Sequence, residues 1–151
     1  MRMYIHDSEG KRVVEAAEDA KITEVVGSTE VDVEVWVEGA DEPLRAEVTV
    51  AEVAVAGHAS VHVGRGRVTV QVFYNGMTKS KSFGPGNKVE KVFDWAVGST
   101  GFSLPATDAQ TLALRLHGSP EDLDPDVHVG TLADKQRDLL LDLLPGERFA
   151  G

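Results

Sequence analysis

Few residues of this 151-residue chain have the types and spacing for chemistry. In "DLDPD", Asp122, Asp124 and Asp126 alternate as in a calcium loop, where several oxygens must converge on one ion. The turn position that needs glycine holds Val127, and the position that needs a bidentate glutamate holds Ala133, so the stretch reads as a solvated acidic loop. His58 and His62 can share a strand face, but zinc wants a third protein ligand and none is spaced nearby. They read as loop and strand residues, and no metal is expected. The glycines and lysine of "GPGNK" miss the phosphate-loop spacing and read as helix capping. There is no cysteine, hence no thiolate nucleophile or disulfide. No Ser, His and Asp constellation or paired acid stands out, so the chain reads as a non-enzyme without a cofactor. What remains is the ending "LLLDLLPGERFAG": a buried strand, Pro145, and a short polar stretch up to Gly151, whose carboxylate has no Cβ beside it.

The elements that must position these residues are rich in strands. In "VDVEVWVEG", Val31, Val33, Val35 and Val37 alternate with Asp32, Glu34, Trp36 and Glu38, which predicts one core face and one wet face. The rhythm returns in "RAEVTVAEVAV" and "RVTVQVFYNG". Asn75-Gly76, between "VTVQVFY" and "MTKSKSF", suits a type I′ hairpin turn. In "GPGNKVEKVFDWAVG", Val89, Val92, Phe93, Ala96 and Val97 define one helical face, with Val92 and Phe93 against the sheet. Asn87 with Glu90 is the expected cap and Gly98 the left-handed stop. "TLALRLHG" follows as a strand, then the polar connection "SPEDLDPDVHVGTLADKQ", then "DLLLDLL" as a last strand, with a helical turn as the alternative. Trp95 falls off the helix's core face and Trp36 on the polar side of its strand. Both read as edge packing or interdomain contact, with a partner surface as the functional alternative.

The first half repeats this order. "MRMYIHD" and "KRVVEAAE" flank a turn at Ser8, Glu9 and Gly10, "DAKITEVVG" offers Ile22, Val25 and Val26 on a short helix, and strands run on to "ASVHVGR". Literal identity is confined to fragments such as "VHVG", at Val61 to Gly64 and at Val127 to Gly130, short enough for chance. The joint is placed near Arg65, Gly66 and Arg67, giving units 1–66 and 67–151. The formal charge is −10, and most of it lies in the first unit. Such a field repels phosphate backbones and anionic lipid, so neither nucleic acid nor membrane is expected as a partner. No stretch reaches the length of a membrane span, and "MRMYIHDSEG" lacks a signal peptide's apolar region, so a cytoplasmic protein is expected.

A hairpin, a crossing helix, further strands and an extended tail is the β-grasp order. "LALRLHG" resembles the third strand of ubiquitin with its glycine exit, "DVHVGTLADK" the loop and short turn after it, and "LLLDLLPGERFAG" the final strand and tail. Over residues 68–151 the chain thus resembles a ubiquitin-like domain, and as a pair of such units it resembles the two-domain ubiquitin-like modifiers of bacterial antiphage operons, the Bil systems. The resemblance implies an α+β fold of tandem β-grasp (ubiquitin-like) domains. It also implies that a ubiquitin-activating-like enzyme adenylates the carboxylate of Gly151, which passes through a ubiquitin-conjugating-like enzyme into an isopeptide bond with a target protein, such as a phage structural protein. A JAB-type metalloprotease would prepare or reverse the conjugate. The tail from Pro145 can span about 23 Å at roughly 3.3 Å per residue, enough to enter a neighbouring active site, and the resemblance implies that Arg148, Phe149 and Ala150 are read there by the activating enzyme or protease. Phe149 and Ala150 are bulkier than the residues of eukaryotic tails, which implies a dedicated bacterial enzyme set. Whether Gly151 is encoded last or exposed by cleavage stays open. Two alternatives stand beside conjugation: a non-covalent β-grasp binding module, and a sulfur carrier, against which the extra first domain argues.

Overall fold

The structure, a computed structural model, describes residues 1–7, 9–27, 33–133 and 138–146. Two four-stranded sheets follow one another along the chain. In the first, β1 (Arg2–Asp7) and β2 (Gly10–Glu15) form an antiparallel hairpin, α1 (Ile22–Val26) follows, then β3 (Glu34–Val37), α2 (Val50–Val53) and β4 (His58–Gly64). The spatial order is β2-β1-β4-β3, with β1 and β4 parallel at the centre. In the second, β5 (Val68–Tyr74) and β6 (Met77–Phe83) form the hairpin, followed by α3 (Val89–Val97), α4 (Ala106–Ala109), β7 (Leu112–Leu116), α5 (Val129–Ala133) and β8 (Asp138–Pro145). Its order, β6-β5-β8-β7, repeats that of the first, again with a central parallel pair, β5 and β8. The fold is α+β, a tandem of β-grasp units. Among the described residues no helix is long and apolar enough to cross a membrane.

Each sheet carries its own core. Met3, Ile5, Ile22, Val35, Val50 and Val61 fill the first, and Val70, Val72, Phe83, Val92, Leu141 and Leu143 are among those that fill the second. The β5–β6 hairpin pairs all the way to Tyr74↔Met77, and its turn takes positive φ at both Asn75 (50°) and Gly76 (79°), as a type I′ turn requires.

Several expectations need correction. "RAEVTVAEVAV" alternates like a strand, but residues 50–53 are helical, because Thr49 and Glu52 are spaced as a capping box and the Glu52 carboxylate accepts from the Thr49 N–H at 2.8 Å. Asn87 does not cap α3, whose N-cap is Lys88. Its amide instead donates to the Gly84 carbonyl and to Asp41 Oδ1. Gly98 is extended and not left-handed; glycine is needed there because a Cβ would come within 2.8 Å of the Asp94 carbonyl oxygen. Phe93 flanks the core half-buried, while Val89, Val92 and Ala96 form the buried face of α3. The helical turn α4 had no sequence signal strong enough to place it.

Candidate functional site

β8 carries the chain to its exit. Leu139, Leu141 and Leu143 point into the core, while Leu140, Asp142 and Leu144 face out, Leu140 and Leu144 each 39% exposed. On the same face Asp142 pairs with Phe73 across the parallel ladder and takes His117 Nδ1 at 2.7 Å, and the Phe73 and His117 rings lie 4.8 Å apart. Past Pro145, the Gly146 N–H donates to the Thr111 carbonyl at 2.8 Å, so the ladder with the segment before β7 holds until the last described residue. This exit lies at the β5–β6 turn end of the sheet, since β8 runs parallel to β5.

The opposite end of that sheet meets the first unit. Arg67, in the connection between sheets, donates to the Asp41 carbonyl at 2.8 Å and to Ser82. Asn87 reaches Asp41, the Gly39 N–H donates to the Gly86 carbonyl at 3.1 Å, and Thr131 Oγ1 donates to the Asp7 carbonyl at 3.0 Å. Glycine makes this closeness possible: a Cβ on Gly84 would stand 2.1 Å from the Ala40 carbonyl oxygen, and one on Gly130 would stand 2.4 Å from His62 Nε2.

Three imidazoles sit in this seam. His62 and His128, both 1% exposed, approach Nδ1 to Nδ1 at 3.0 Å, so one must donate and the other accept. His128 Nε2 lies 2.8 Å from Glu38 Oε2, and the His6 ring stacks on His128 at 3.8 Å. Ser60 Oγ joins the set, 3.1 Å from Glu38 Oε2 and 3.2 Å from His6 Nε2. The hydrogen bond from His128 holds the Glu38 carboxyl down at about 2, with Lys88 helping. Burial pushes the His62 imidazole down to about 3 and His6 to about 4, and the neighbouring His128 lowers both further.

A family model described as BilA ubiquitin-like domain 2 matches residues 69–146, just over half of the chain and the span of the second sheet through Gly146. The chain belongs to the BilA ubiquitin-like family. No curated protein matches it. A solved ubiquitin of Caldiarchaeum subterraneum is similar at 16% identity with a TM-score of 0.38, over 51% of this chain and 92% of that one.

For this BilA-family chain the sequence-derived residues fall in three places. Arg148, Phe149, Ala150 and Gly151 lie outside the described residues. Trp36 is 2% exposed and lies beside the Gly84 backbone, which makes it a contact between the two units and takes it out of any outer surface. Trp95 is half-buried on the second core, edge-on to Phe83 at 5.8 Å. The acidic loop is engaged locally: Asp122 with Arg115 at 2.7 Å, Asp124 with the Asp126 N–H, and Asp126 with Lys88. Sequence reasoning missed His6, Glu38 and His128. The available signal was the doubled "VHVG", whose two histidines are the pair that meets across the seam, although one copy is strand β4 and the other opens α5.

Proposed function

We propose that this ubiquitin-like protein is a protein modifier, delivered from the second β-grasp unit through the carboxylate of Gly151, as encoded or once exposed by proteolysis. The observation that carries this reading is the separation of exit and seam: β8 stays paired up to Gly146 at one end of its sheet, while the first unit docks at the other. The first unit therefore leaves the approach to the exit open to an enzyme. An activating enzyme would form the acyl-adenylate and pass it to a cysteine, and a conjugating enzyme would hand it to an amine on the target. The outward Leu140, Leu144 and Phe73 beside the exit offer apolar area for such enzymes to grip, and Arg148, Phe149 and Ala150 would be read in the channel. Family membership supports a role in antiphage conjugation, with a phage structural protein as target and a JAB-type metalloprotease that trims or removes the modifier.

The test is ATP-dependent pyrophosphate exchange with the cognate activating enzyme, followed by a gel assay for a reducible thioester. Deleting Gly151 should abolish the thioester while leaving the thermal melt unchanged. Equal transfer with and without Gly151 would refute the reading in favour of a non-covalent binding module. Release of a thiocarboxylate without transfer to protein would instead indicate a sulfur carrier.

A further inference from the structure

Two rings and one carboxylate converge where the sheets meet, and they come from three elements: His6 from β1, Glu38 from the turn after β3, and His128 from the loop that leads into α5. One ligand atom from each lies within 4.8 Å of the other two. We propose that His6, Glu38 and His128 form a zinc-class divalent metal site that ties the first β-grasp unit to the second. The donor set decides the class of ion. Two imidazoles and one carboxylate suit zinc and its borderline neighbours, whereas calcium and magnesium seek oxygen ligands alone.

The surroundings fit that role. Ligands about 2.0–2.1 Å from a tetrahedral zinc stand roughly 3.3 Å from one another. His128 Nε2 and Glu38 Oε2 stand at 2.8 Å and need only open slightly, so the larger adjustment falls on His6, a half-buried side chain that lines the adjoining cleft. A metal on His128 Nε2 takes the place of the proton that otherwise faces Glu38, so the ring proton moves to Nδ1 and His62 Nδ1, 3.0 Å away, becomes the acceptor with its own proton on Nε2. A ligating histidine normally has such a partner on its other nitrogen. Lys88 Nζ sits 3.6 Å from Glu38 Oε1 and 3.6 Å from Asp126 Oδ1, which occupies the far carboxylate oxygen and leaves Oε2 as the single ligating atom. Beside His6 and Glu38 opens a cleft of about 230 Å³, walled by Tyr4, Lys11, His58 and Lys88. It has room for the water that completes the coordination. Because the ligands come from both units, binding is coupled to the seam staying closed. This site stands independently of the conjugation reading and uses none of the tail.

The experiment takes the whole chain, free of any histidine tag and stripped with chelator, and titrates it with zinc chloride by calorimetry and with cobalt(II) by visible absorption. One ion per chain, the intense bands of four-coordinate cobalt, and a melting temperature raised by about 5 °C or more at zinc well above Kd are the expected results. H6Q and E38Q, both at half-buried positions, should each weaken binding by about 100-fold or more, while H58Q on the cleft wall should leave it unchanged. Melting of the metal-free variants verifies that they fold. No binding up to about 1 mM zinc, or binding that survives both H6Q and E38Q, would overturn the assignment.

Discussion

Adding a single methyl group at Gly130 tests the seam directly. An alanine Cβ there would stand 2.4 Å from His62 Nε2, 2.6 Å from Pro85 Cβ and 2.9 Å from His62 Cε1, all inside van der Waals contact. Gly130 lies in α5, where replacing glycine by alanine alone would gain about 0.5–1 kcal/mol. Overpacking costs about 1–3 kcal/mol. The upper part of that range applies, because neither neighbour can yield: His62 is 1% exposed with its Nδ1 against His128, and Pro85 holds the Gly130 N–H through its carbonyl at 2.9 Å. The net expectation for Gly130→Ala is a loss of about 1–2 kcal/mol, or roughly 2–8 °C in Tm for a chain of this size. The assay is thermal and urea unfolding of the full chain, with a double-mutant cycle against His62→Ala. Removing the ring relieves two of the three clashes, so the two substitutions should be non-additive by at least about 0.5 kcal/mol. If Gly130→Ala stabilises the protein as helix propensity alone would have it, or if the cycle is additive, His62 does not pack on α5 and the two units do not meet as described.

Acid should loosen the same seam. His62 and His6 are held neutral, at about 3 and about 4, while in the unfolded chain they titrate near 6.5. As pH falls below 6.5 the unfolded state takes up protons that the folded state refuses, so stability is fully present above that value and declines towards pH 4, by up to about 1.4 kcal/mol per unit for buried His62 and less for half-exposed His6. Urea midpoints that stay flat from pH 7 to pH 4.5 would contradict this, and below pH 4.5 Glu38 should add its own loss. In the second core, Val92 is 0% exposed, so Val92→Ala should cost about 1–3 kcal/mol in urea unfolding, whereas the same change at the exposed Val55 should fall within about 0.5 kcal/mol. At the hairpin, Gly76→Val should destabilise by more than about 1 kcal/mol, since φ of 79° is strained for a branched residue although nothing stands within 4 Å of its Cβ.

The fold was legible wherever one physical rule acted alone. The Asn75-Gly76 turn and the alternation of Val68 to Val72 each follow from a local pattern and stand in the structure as read, the helix α3 stands with Phe93 turned to the edge of its apolar face, and the last strand stands but buries only alternate leucines. Errors arose where two rules competed. In residues 45–55 the alternation of valines pointed to a strand, but the capping box at Thr49 and Glu52 turned the chain. Trp36 shows the other kind of failure. Its strand does alternate, and it does occupy the face opposite Val35, yet that face is not wet because the Gly84 to Gly86 turn covers it. No local period can report what a second unit will bury. The same blindness applies to the histidine cluster, since His6, Glu38, His62 and His128 are separated by up to 122 residues and no short spacing joins them.

The seam is where two units, each with its own core, meet. Beside the buried Trp36 ring, its contacts include polar groups on close backbones: glycines at 84, 86 and 130, an amide at Asn87, a guanidinium at Arg67 and the imidazoles of His62 and His128. A buried hydrogen bond loses its value when donor and acceptor move apart by an ångström, so the buried His62–His128 pair favours the seam as it stands. The buried part of the seam rests on the imidazoles of His62 and His128 and on the Glu38 carboxylate, so a change of protonation at His62 is felt where the units meet. At the far end of the second sheet the last described residues are held by Thr111, whose carbonyl takes the Gly146 N–H, and by Arg115, which donates to the Pro145 carbonyl at 3.3 Å. What joins the first unit to the second is therefore remote from Gly146, at the opposite end of the second sheet.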